Sequence, residues 1–107
     1  MKQNQIQQGD VTLERVESIP SKAKPKAATK RGYVLAEGEH TGHAHCIEKT
    51  SKAEFYEVDG VLYVKAKEPV ELTHEEHKTI TVPKGNWKIG IVREFDHFAQ
   101  MERQVKD

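Results

Sequence analysis

Cysteine is nearly missing from this chain: Cys46 is the only one in 107 residues. No disulfide can close within it, no paired-cysteine zinc motif is available, and nothing points to an oxidising compartment. Net charge is missing too, because 17 basic and 17 acidic side chains cancel. No global field therefore draws the protein toward nucleic acid or an anionic membrane, and such a partner has to be met by a local patch. No run approaches the roughly 18 apolar residues of a membrane-spanning helix, and the opening MKQNQIQQGD has no apolar signal core. The chain is read as soluble and intracellular. It also lacks a G-x-S-x-G elbow, a P-loop and a glycine-rich dinucleotide turn, which removes the hydrolase, NTPase and dinucleotide-dependent classes that carry them. A chain of this length has room for one modest core, so a single domain over 1–107 is expected.

Short β-forming runs fill most of what remains. In GDVTLERV, Val11, Leu13 and Arg15 alternate with Thr12, Glu14 and Val16, the period of a strand. Pattern is then lost over about 20–31, where Pro20, Pro25, Lys22, Lys24, Lys26, Lys30 and Arg31 crowd together. A mobile basic loop is expected there. A nucleic-acid arm is the sharper alternative, but no aromatic residue is interleaved for base stacking. From Tyr33 onward come GYVLAEGE, HAHCIE, AEFYEVDG, VLYVKAK, PVELT, KTITV and WKIGIVREF. Asp59-Gly60, between two apolar runs, is a strong hairpin signal. Trp87, Ile89 and Ile91 are expected on one face. In DHFAQMERQV, Phe98, Met101 and Val105 recur at helical spacing behind an Asp96 cap. The fold expected is all-β: a small antiparallel barrel or sandwich of about seven strands with a short C-terminal helix.

The chemistry concentrates in histidine, of which there are six. His43 and His45 stand two apart in GEHTGHAHCIE, so on a strand they share a face with α-carbons about 6–7 Å apart. Both rings can then reach one zinc ion at about 2.0–2.1 Å. Cys46 leaves the opposite face and is read as a small core residue. His74 and His77 stand three apart in LTHEEHKTI, and they face one way if the backbone turns over Glu75 and Glu76. This spacing differs from the helical zincin motif. Brought together, the two pairs make a four-histidine site of His43, His45, His74 and His77. His40, in a glycine-flanked turn, either joins it or faces solvent. Glu75 or Glu76 can hold a ring nitrogen or act as a base, with Glu76 the catalytic candidate. A metal-free acid–base pair and merely solvated histidines are the competing meanings. Arg93 and Glu94 can pair at a strand end, and His97 is read as an ordinary surface residue.

QGDV, Ile19-Pro20, LAEGEHTGHAH, VDG, LTHEEH, VPKG and VREFD follow one another in an order that resembles a family of small uncharacterised proteins from bacteria and their phages. The resemblance spans nearly the whole chain apart from the lysine-rich loop. It implies His43, His45, His74 and His77 as the functional set, with Glu39, Glu76, Arg93 and Glu94 in support. It also implies a bacterial or phage-infected cytoplasm. The family pattern has a small residue where His40 stands, and tyrosine where Trp87 and Phe95 stand. A looser similarity is to cupins, through H-A-H after a glycine-containing turn and the P-x-G of ITVPKGNW. The glutamate spacing differs and no histidine follows P-x-G, so the likeness is architectural only.

The combined expectation is a divalent transition metal, zinc first, with iron, nickel or copper also suited to imidazole. An open site implies hydrolysis of a small-molecule substrate by activated water. The alternative is a non-enzymatic phage or bacterial accessory protein, with a protein partner, in which the metal staples a small core. Nucleic acid ranks behind both as a partner, and no membrane is implied.

Overall fold

The computed structural model describes residues 4–37 and 42–92. The described chain forms β1 (Gln5–Gln8), β2 (Val11–Val16), β3 (Lys24–Pro25), β4 (Tyr33–Glu37), β5 (Ala44–Ile47), β6 (Ala53–Val58), β7 (Val61–Ala66), β8 (Val70–Thr73), β9 (Ile80–Val82) and β10 (Gly85–Ile91). One six-stranded sheet runs β1-β2-β10-β7-β6-β3, and a four-stranded sheet runs β4-β5-β8-β9. All pairings are antiparallel. The two sheets make a sandwich rather than a closed barrel. Its core joins Val11, Leu13, Val64 and Trp87 of the larger sheet to Leu35, Ile47, Leu72 and Val82 of the smaller. Tyr33 of β4 stacks on Phe55 of β6 with ring centroids 4.0 Å apart, adding a second link between the sheets.

Alternation explains the strands the sequence announces. Val11 and Leu13 are fully buried, and Arg15, next on that side, lays its guanidinium 4.4 Å from the Trp87 ring centroid. Asp59 and Gly60 both take positive φ, 52° and 77°, between the partners Val58 and Val61. That is the primed turn whose twist suits a two-residue hairpin.

Ten strands stand among the described residues where about seven were expected. β1 was hidden because QIQQ has a single apolar residue, Ile6; the other buried position of that strand is Gln8. β3 lies within the basic loop, where Lys24 and Pro25 pair with Glu57 and Tyr56. The Lys26 amide continues that contact to the Phe55 carbonyl at 2.8 Å. Proline is tolerated because β3 is an edge strand, with no ladder required on its far side. Cys46 does leave the face opposite His45 but is only half-buried, so its reading as a core residue is corrected. Its side of β5 looks out past Arg31, Thr73 and Glu75 rather than into the sandwich. Trp87 and Ile89 share the buried face of β10, whereas Ile91 at its end is exposed. The expected C-terminal helix, Arg93, Glu94, Phe95 and His97 lie outside the described residues, as do Glu39 and His40. No helix among the described residues is long and apolar enough to cross a membrane.

Candidate metal centre

Three segments meet at one end of the sandwich. β5 supplies His45, buried on the same side as Ile47 and paired with Ala36 just past a register shift at Leu35. The 74–79 connection between the antiparallel β8 and β9 supplies His74 and His77. The turn expected over Glu75 and Glu76 is there, and it puts the two rings 4.6 Å apart at their centroids. From the other sheet, the β1–β2 hairpin brings Gln8, Gly9 and Asp10 over the rings.

His45, His74 and His77 each offer a ring nitrogen, and these nitrogens lie within 4.8 Å of one another. Ligands held at 2.0–2.1 Å around one ion stand about 2.9–3.4 Å apart, so modest ring rotations close the set. His45 is the best-ordered donor. The Gln8 amide nitrogen donates to the carbonyls of Leu72 and Lys78, both at 2.9 Å. Its oxygen must therefore be the atom 2.8 Å from His45 Nδ1. Nδ1 is thereby fixed as the N–H, and Nε2 carries the lone pair a metal needs. Burial, then the charge of a protonated His74, push the His45 pKa below 6.5 against the opposing pull of Asp10. The ring is neutral at neutral pH, as ligation requires.

His74 is less prepared. Its Nδ1 accepts the Glu76 backbone N–H at 3.0 Å, which places the proton on Nε2. Binding an ion through either nitrogen means giving up that hydrogen bond, at about 1 kcal/mol. His77 packs directly on Gly9, where an added Cβ would come within 2.5 Å of Nε2, and Gly9 itself has φ +58°. Only glycine satisfies both the turn and the ring.

The four expected histidines thus converge unequally. His43 precedes β5 and stands beside the trio, edge-on to His74 at 5.7 Å between centroids, with Nδ1 3.5 Å from Glu76 Oε1. The two glutamates divide their work. Glu76 is exposed and faces His43. Glu75 is a clasp: Oε1 accepts the Ala44 N–H at 2.9 Å, and Oε2 meets Arg31 at 3.2 Å. Arg31 also donates to the Gly42 carbonyl at 2.7 Å. The Ala44 amide is the main reason the Glu75 carboxyl sits below its ordinary 4.5.

A carboxylate whose folded pKa is depressed stabilises the fold above its unfolded value, and that contribution disappears as pH falls through the folded value. Glu75→Gln should therefore flatten the loss of melting temperature below about pH 4.5 relative to the parent. Identical acid limbs in thermal melts of the two proteins would contradict the clasp.

Gln8, Gly9 and Asp10 escaped the sequence reading as site residues. A signal existed, since Gly-Asp between Ile6 and the alternating Val11 and Leu13 is itself a two-residue hairpin pattern. Nothing local announced that the turn would reach histidines more than thirty residues away.

Neither curated proteins nor solved structures give a match to the chain. A family model described as a domain of unknown function, DUF8820, matches residues 7–92, a span that takes in the β1–β2 turn, His43, His45, His74 and His77; the chain belongs to that family.

Proposed function

We propose that this protein binds one divalent transition metal through His45, His74 and His77 and uses it to hydrolyse a small-molecule substrate. The observation that carries the reading is the approach of three imidazole donors to within 4.8 Å of one another. Zinc is the first candidate, with iron, nickel and copper also compatible with imidazole. His45 is buried while His74 is half-buried and His77 exposed, so the site opens toward solvent. Three protein ligands with an accessible further position are the pattern of metals that polarise a substrate and acidify water. His43 and Glu76 supply the proton chemistry beside it. The Glu76 carboxylate orients the His43 ring, and the ring accepts the proton of the attacking water. Glu76 is thus a positioning residue for His43 rather than the base itself.

A stapling role is the second reading, favoured by the source of the ligands. They come from β5 and from the β8–β9 connection, which a metal would tie together. Metal removal separates the two. Under the hydrolytic reading, chelator-treated protein keeps its cooperative melt and loses turnover of chromogenic ester and phosphoester substrates, and added metal restores it. His43→Ala and Glu76→Gln then lower kcat by about 100-fold while metal content is unchanged. Loss of the fold on chelation, with no turnover at any metal loading, leaves the staple.

A further inference from the structure

We infer that Asp10 is a fourth ligand of the same metal, supplied by the opposite sheet. The inference rests on the three-histidine centre proposed above and adds to it a carboxylate that sequence spacing did not single out. Asp10 Oδ1 lies 3.2 Å from His45 Nε2. Gln8 engages Nδ1, so Nε2 is the ring nitrogen turned toward that carboxylate. At this distance the two atoms can share one bridging cation. Neighbouring ligands around one ion bound at 2.0–2.1 Å are about 2.9–3.4 Å apart, and the 3.2 Å separation falls within that range.

The backbone makes this approach deliberate. Gly9 and Asp10 form the turn between Gln8 and its β2 partner Val11. The preceding residue, Gln8, fixes the His45 tautomer. Gly9 gives His77 its space, and Asp10 reaches the free nitrogen. Three consecutive residues of one turn thus each serve the site. A carboxylate also changes the ligand class. One negative charge offsets half that of a divalent ion, and oxygen shifts preference away from soft copper(I) toward zinc, iron or manganese. The Asp10 side chain is 59% exposed, so its vertex is the one that an incoming substrate can displace.

The test titrates full-length protein with zinc, then with cobalt(II) as an optical probe, in the parent, Asp10→Asn, Asp10→Ala and His45→Ala. Asp10→Asn keeps the size and turn chemistry of the side chain, so it separates ligation from folding. Expected are a roughly 10- to 100-fold weaker zinc affinity in both Asp10 variants and an altered cobalt d–d spectrum. His45→Ala should lose binding far more severely. Parent-like affinity and spectrum in both Asp10 variants, with binding lost in His45→Ala, overturns the fourth ligand and leaves the three-histidine centre standing. An ion pair between Asp10 and a protonated His45 predicts the same pattern, since it puts no carboxylate on the metal. No binding by the parent overturns both.

Discussion

Replacing His45 with alanine is expected to weaken metal binding by roughly 1000-fold and to bring metal content from about one ion per chain to near zero after dialysis. The magnitude comes from sharing the roughly 10–16 kcal/mol of a structural zinc site over its ligands, about 4 kcal/mol each. His45 should sit at the severe end for reasons visible around it. It is buried, its tautomer is set by Gln8, and its neutral form is favoured by burial, so little of its binding energy is spent on rearrangement. His77, exposed, and His74, which must first release the Glu76 amide, start from looser positions. Their alanine variants should fall in the same direction by smaller factors. His43→Ala is the informative contrast: standing beside the trio, it should retain metal while losing turnover. Elemental analysis of untagged protein reads all four variants at once. Equal metal in the parent and in His45→Ala would remove the site.

The His74 and His77 pair was legible in the sequence because its chemistry is local, whereas His43 precedes β5 instead of sharing that strand with His45. Residues three apart across a turn set their own spacing whatever surrounds them. The loop that brings His74 and His77 together was legible for the same reason: polar THEEHK interrupts two β-rich runs, and β8 and β9 pair on either side of it. Asp59-Gly60 needed only its own φ preferences. The remainder depended on tertiary context. Gln8 reads as one more residue of a polar lead, yet it is buried with its amide spread over Leu72, Lys78 and His45. Glu75 and Glu76 are adjacent and chemically alike. Only the position of the Ala44 amide and Arg31 on one side, and of His43 on the other, gives them different tasks. Cys46 was assigned to the core by alternation alone. Alternation reports which face a side chain leaves, and the cover on that face is decided by other segments.

Gln8→Ala is expected to be the most destabilising polar substitution at the site, by about 3–6 kcal/mol in chemical denaturation. The side chain joins three buried or half-buried partners: the Leu72 and Lys78 carbonyls and the His45 N–H. Each hydrogen-bonding group left unmade away from water costs about 1–3 kcal/mol, with some relief where solvent enters beside the partly exposed Lys78 contact. A domain of this size has only about 5–15 kcal/mol in all, so the variant should lie near the edge of folding at room temperature. Gln8→Glu tests the direction of the network. It keeps an oxygen for His45 but turns the other against two carbonyls, so it should also destabilise at neutral pH and recover partly in acid, where a protonated carboxyl can donate to one of them. The neighbouring Gln7 provides the control, because among the described residues its amide meets the exposed Gly9 carbonyl. Gln7→Ala should change stability by less than about 0.5 kcal/mol. A Gln8→Ala midpoint close to that of Gln7→Ala would mean that water replaces the amide at no cost, and His45 would then lose the constraint that prepares it for the metal.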